Sequence, residues 1–107
     1  MNLDEFMTRG SPRGTNVKRD GFLFLFLRLR EGPTLEIAVV TVHRSERGKG
    51  LFTKTIRYIK YRYPEVSICV ERVTEPRFQQ HLLKLGFDQL TTKTFFLNSQ
   101  KDLPPSR

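Results

Sequence analysis

Val40-Thr-Val-His-Arg-Ser-Glu-Arg-Gly-Lys-Gly-Leu-Phe52 decides the fold. A β-branched run stops at His43, a charged turn follows, and Gly48 and Gly50 sit where helical periodicity begins, so the stretch reads as strand, loop, helix. Glycines let a backbone approach a bulky anion, and the first N–H groups of a helix have no intrahelical partner. Such a turn can hold a phosphate. Arg47 and Lys49 put two cations beside those N–H groups, which favours a diphosphate over a lone carboxylate. An ordinary strand-to-helix turn reads the same way, so the flanking elements must decide between the two.

Upstream, Thr34 to Val42 reads as a strand whose later half is apolar except for Thr41, as suits a central strand. The short turn Glu31-Gly32-Pro33 joins it to another strand, Gly21 to Arg30, and predicts an antiparallel hairpin. Strict alternation puts Leu23, Leu25, Leu27 and Leu29 on one face and Phe22, Phe24 and Phe26 on the other, with both faces covered for most of the length. Leu3, Phe6 and Met7 suit a short amphipathic helix. Gly10, Ser11, Pro12, Gly14 and Asn16 follow as breakers, so residues 1–20 are expected to be a lead segment, part disordered or short helix.

Downstream, Phe52, Ile56, Ile59 and Tyr63 recur at helical spacing until Pro64. Val66 to Val73 returns to β character, with Val66, Ile68 and Val70 alternating against Ser67, Cys69 and Glu71. A strand, helix, strand order this compact predicts a right-handed crossover and a parallel pair. Thr74-Glu75-Pro76 opens a second main helix with a capping candidate and an early proline; Phe78, Leu82 and Leu85 form its buried stripe, and Gly86 stops it. Phe87 to Leu90 and Thr94 to Leu97 predict a last hairpin. Residues 99–107 are expected to form a flexible tail.

At 107 residues the chain is one domain with a modest core resting on Phe, Leu, Ile and Val. The formal net charge of +8 points to anionic partners, whether nucleic acid, a polyphosphate, an acidic protein or a membrane surface. A single cysteine, Cys69, excludes an intrachain disulfide and a cysteine-based zinc site; its apolar run makes it a small buried hydrophobe in a reducing compartment. His43 and His81 bring no metal-ligand pattern, so no metal is expected. Residues 1–20 lack an apolar signal core and Gly21 to Leu27 is too short to span a bilayer, so a cytoplasmic protein without membrane attachment is expected.

Three pieces of this chain resemble the GNAT superfamily of N-acetyltransferases: the strand entering Arg47-Gly-Lys-Gly-Leu-Phe52, the parallel strand Val66 to Val73, and the helix end Leu82-Leu-Lys-Leu-Gly-Phe87. Arg47 and Gly50 match the family's Arg/Gln-x-x-Gly-x-Gly/Ala motif, and the resemblance covers residues 21–98. It implies an α/β (α+β) fold with a mixed, mostly antiparallel sheet, a central splayed parallel pair and two main helices. It also implies acetyl-coenzyme A (acetyl-CoA) as cosubstrate. The pyrophosphate would lie on Arg47, Gly48, Lys49, Gly50, Leu51, Phe52 and Thr53, with the pantetheine arm along Val40 to Val42.

The chain departs from the family where Phe52 replaces a small residue, Leu82 stands at the usual proton-donating Tyr, and Glu75 stands at a usual Asn. Few residues precede the first hairpin, so the acceptor groove should be open, suiting an amine on a protein or nucleic acid, or completion by a second copy in a homodimer.

For the base that an amine acceptor needs, Glu36 and Glu71 lie closest to the expected cleft, with Glu71 preferred because ligands sit beyond the carboxyl ends of parallel strands. His81 is the candidate imidazole, ahead of His43. Arg57-Tyr-Ile-Lys-Tyr-Arg-Tyr63 interleaves bases with aromatics; it reads first as a basic amphipathic helix, and also as a stacking surface for a single strand. Two functions stay open: an N-acetyltransferase, and a non-catalytic module that binds nucleic acid or an acidic protein.

Overall fold

The computed structural model describes residues 1–104; the remainder of the expected tail, 105–107, lies outside the described residues. Among the described residues the chain forms a mixed six-stranded sheet with three α-helices: α1 (Leu3–Arg9), β1 (Thr15–Asn16), β2 (Phe22–Arg30), β3 (Thr34–Val42), α2 (Leu51–Arg62), β4 (Ser67–Val70), α3 (Pro76–Leu85), β5 (Asp88–Gln89) and β6 (Phe95–Leu97). The strand order is β1-β2-β3-β4-β6-β5, and only β3 and β4 run parallel.

The parallel ladder is short. It pairs Thr34 with Ser67 and ends at Ile37 with Val70, followed by one further bond from the Glu71 N–H to the Ile37 carbonyl at 3.0 Å. At that point β3 carries an extra residue against β2, since Phe26 pairs with Val39 but Leu27 pairs with Ile37. Ala38 is the surplus residue, and both it and Ile37 are buried instead of alternating. A bulge bends and twists its strand, so β3 turns away from β4 and runs on to Val42 without it. Arg72, among the described residues the only non-glycine one at positive φ (59°), swings the chain out of β4 on the other side of the opening.

Strict alternation in β2 fails for the same kind of reason. Phe22 pairs with Val42 and Phe24 with Thr41, so Leu23 is surplus on β2. Phe22 therefore joins Leu25 and Leu27 in the core, while Leu23 (49% exposed) and Phe24 (55%) face outward and leave that face largely uncovered. In Thr74-Glu75-Pro76 the N-cap of α3 is Glu75, with no side-chain bond, and Pro76 is the first helical residue. Gly86, at φ 102°, ends this helix by donating its N–H to the Leu82 and Leu83 carbonyls.

Residues 1–20, expected as a lead segment, pack into the domain. Asn2 and Glu5 form a reciprocal capping box, and α1 buries Leu3, Phe6 and Met7. The Asp4 carboxylate accepts hydrogen bonds from the Tyr58 and Tyr63 hydroxyls, which ties α1 to α2. Those two phenols hold the Asp4 carboxyl below its usual range, and burial with Asp4 nearby pushes the Tyr63 hydroxyl up to about 12. The start of the tail also contacts the domain: Lys60 Nζ donates to the Ser99 carbonyl at 2.9 Å, and Leu103 packs against the core. No described helix is long and apolar enough to cross a membrane.

Phe6 is fully buried, so Phe6→Ala removes a core ring and leaves a cavity. A loss of about 3–5 kcal/mol is expected in urea unfolding. An unchanged midpoint would show that residues 1–20 are merely appended.

Candidate functional site

Where β3 parts from β4 the sheet opens into a cleft of about 930 Å³, near the top of the ~300–1,000 Å³ range of small-molecule sites. One wall is the freed end of β3, Val40 to Val42; the others are the N-terminal turns of α2 and α3. Past Ile37 no described strand pairs with β3 on its β4 side. The backbone groups of that edge are available to an extended ligand.

Both helix N-termini at this cleft lack a side-chain cap. Gly50 is the N-cap of α2, at φ 73° and ψ 21°, and Glu75 caps α3 only through its backbone. Gly50 has no side chain that could accept from the first N–H groups of α2, and Gly48 before it is also left-handed, at φ 78°. A Cβ added at either glycine would meet nothing within 4 Å, so these glycines serve conformation and leave space in front of the helix. The partial positive charge of each helix end adds to Arg47 and Arg77, which also line the cleft. Glu46 and Glu75 supply counter-charge at the same walls.

Phe52 lines the cleft from the first turn of α2. Its ring meets Phe78 edge-on, with centroids 4.9 Å apart at 89°, and joins α2 to α3 across the cleft floor. One turn further along α3, His81 Nε2 lies 2.6 Å from the Thr53 hydroxyl oxygen. His81 is exposed at the cleft mouth, and partial desolvation there, then Lys84 nearby, lower its pKa below the ordinary 6.5, which favours the neutral imidazole at pH 7.

The cleft gathers Val40, Val42, Arg47, Gly48, Gly50 and Leu51 with Phe52, Thr53 and His81. Lys49 is not on the wall; its Nζ pairs with Glu46 at 3.8 Å. Glu71 is also off the wall, one residue past the last ladder pair, at the point where the strands separate. Glu36 is occupied by Arg30 at 2.6 Å and by Arg28 at 4.0 Å, which removes it as a free base. His43 precedes a short 3-10 turn, Arg44–Glu46, and does not line the cleft. Leu82 is fully buried in the core.

Sequence reasoning missed Arg77, which with Phe78 and His81 lines the cleft from α3. Arg77 and His81 are four residues apart, so extending the face of His81 back one turn would have found it. Cys69, half-buried on β4, has its thiol pushed up to about 11 by burial and by Glu71 and Glu36, so it is no thiolate at neutral pH. Among the described residues no three His, Cys, Asp or Glu side chains group as metal ligands. No family model, curated protein or solved structure matches the chain.

Because folding lowers the His81 pKa, the unfolded chain binds the His81 proton more readily. The native state therefore loses stability as pH falls below 6.5 toward the folded value, and feels no such effect above it. Thermal melts are expected to show this acid-side loss, and His81→Gln to remove that component. A His81 ring titration at or above 6.5 in NMR would contradict the desolvation argument.

Proposed function

We propose that the chain is an N-acetyltransferase that uses acetyl-CoA and acts on an amine of a macromolecule. The observation that carries this reading is the single cleft in which a freed β edge leads to an uncapped helix N-terminus behind two open glycines. A long ligand with an extended arm and a diphosphate fits that combination. The arm would lie along Val40 to Val42, and the diphosphate would take the N–H groups of Leu51, Phe52 and Thr53 together with Arg47. Bound there, acetyl-CoA would supply an activated acetyl thioester.

An attacking amine begins protonated at neutral pH and must lose a proton to a base. His81 lines the cleft with a lowered pKa, and in the tautomer whose Nε2–H donates to the Thr53 hydroxyl its Nδ1 lone pair is free, so it is the group we assign to accept that proton. Glu71, off the cleft wall at the fork of the strands, is the second candidate base. Leu82 cannot donate a proton to the departing thiolate, as a tyrosine at this place does in the family the chain resembles, so the proton that His81 takes from the amine would pass on to that thiolate.

Calorimetry with acetyl-CoA is expected to give one site per chain at micromolar affinity. Gly50→Glu should abolish binding by setting a carboxylate against the diphosphate, while Gly50→Ala, which meets open space, should fold slightly less well and still bind. Unchanged affinity in Gly50→Glu would sink the site. With an accepted amine in hand, His81→Gln is expected to lower kcat by about 10²–10⁴-fold and leave acetyl-CoA affinity unaltered.

A further inference from the structure

From Arg47 to Tyr63 the chain carries six cations and no acid. Helical spacing sends these side chains in different directions. Lys60 turns toward the tail, where its Nζ bonds the Asn98 and Ser99 carbonyls. Tyr58 and Tyr63 face α1 and both donate to Asp4. Lys54, Arg57 and Tyr61, at i, i+3 and i+7, share the crest opposite the buried Thr55, Ile56 and Ile59.

Lys54 is exposed, Arg57 is half-buried, and among the described residues neither pairs with a carboxylate. Tyr61 is 86% exposed, the highest value of any exposed large apolar or aromatic side chain among the described residues. A ring this exposed contributes little to the core, and between Lys60 and Arg62 its face is open to a stacking partner. The flanks are basic too: Arg19 lies 5.1 Å from the Tyr58 ring centre and Arg62 lies 5.9 Å from that of Tyr63. Asp4 stays ionised, with its carboxylate taken up by the Tyr58 and Tyr63 hydroxyls on the side facing α1, and Asp102 lies beside Lys60 and Tyr61 at the tail.

We infer that this crest of α2 is a docking track for single-stranded nucleic acid. A twelve-residue helix is about 18 Å long, enough for several successive phosphates to meet Lys54, Arg57 and Arg62 while an unpaired base stacks on Tyr61. A duplex keeps its base faces stacked on each other and offers Tyr61 nothing. An acidic peptide would match the charge and not the ring. The crest lacks a group fixed to read a sugar hydroxyl, so RNA and DNA strands should bind alike. This surface lies outside the cleft and is independent of the acetyl-CoA reading.

The test is fluorescence anisotropy of labelled oligo-uridine and oligo-thymidine of about 12 nucleotides, within the ~4–16 that such surfaces cover. Single strands of both kinds are expected to bind with a log–log salt slope of about −2, at ~0.7 per phosphate contacted. Tyr61→Ala should weaken binding by about 5–100-fold, and Tyr61→Phe should restore it. The double variant Lys54→Ala with Arg57→Ala should flatten the salt slope by about 1.4. All of these side chains lie away from the core, so the variants should fold and bind acetyl-CoA as the parent does. Tighter binding of a duplex, equal competition by a polyglutamate peptide, or no effect of Tyr61→Ala would each overturn the assignment.

Discussion

Everything at the candidate site depends on the surplus residue Ala38. Backbone N–H and C=O groups in a sheet need partners, and a regular β3 could have found them along β4 for its whole length. The bulge puts Ile37 and Ala38 on the core side together, and β3 then diverges from β4 just beyond the Ile37–Val70 pair. Arg72 reinforces the divergence with a left-handed turn. The fork leaves a polar backbone edge beside an apolar wall, a pairing suited to an extended ligand that carries its own amides.

Electrostatics distinguish the two helices at the fork from the third. α1 has a complete capping box, so the Glu5 N–H in its first turn is satisfied by the Asn2 side chain. α2 and α3 start without a side-chain cap, and both starts open on the same cleft with Arg47 and Arg77. Uncapped N–H groups keep their pull on an anion, and adding a Ser or Asp cap there would spend it internally. The remaining positive charge of α2 lies along its length, where the Asn98 and Ser99 carbonyls engage Lys60 and the crest keeps Lys54 and Arg57.

The first twenty residues show how a polar, breaker-rich segment can still be structural. Val17 and the three apolar side chains of α1 complete the core. Asp4 then fastens α1 to the C-terminal half of α2, whose N-terminal half forms the cleft. Support for the site thus begins at the opposite end of the sequence, through contacts that separate residue 4 from residues 58 and 63 in the chain.

Local chemistry made much of this legible. The β-branched run before His43, the Gly48 and Gly50 turn, the Pro64 and Gly86 stops and the hairpin at Gly32 each act within a few residues, so the mixed sheet, the crossover helix and the anion-ready turn could be read from the chain. What could not be read depends on which strands share an edge and on where one of them slips. Ala38 and Leu23 look like ordinary alternating residues until pairing counts show them to be surplus. Arg77 enters the cleft only because α3 packs beside α2, and Glu36 is withdrawn from chemistry only because β2 presents Arg28 and Arg30 to it. The sequence by itself determined the elements and the polarity of the turn; tertiary structure decided that the sheet forks, because register is a property of two strands and no single strand carries it.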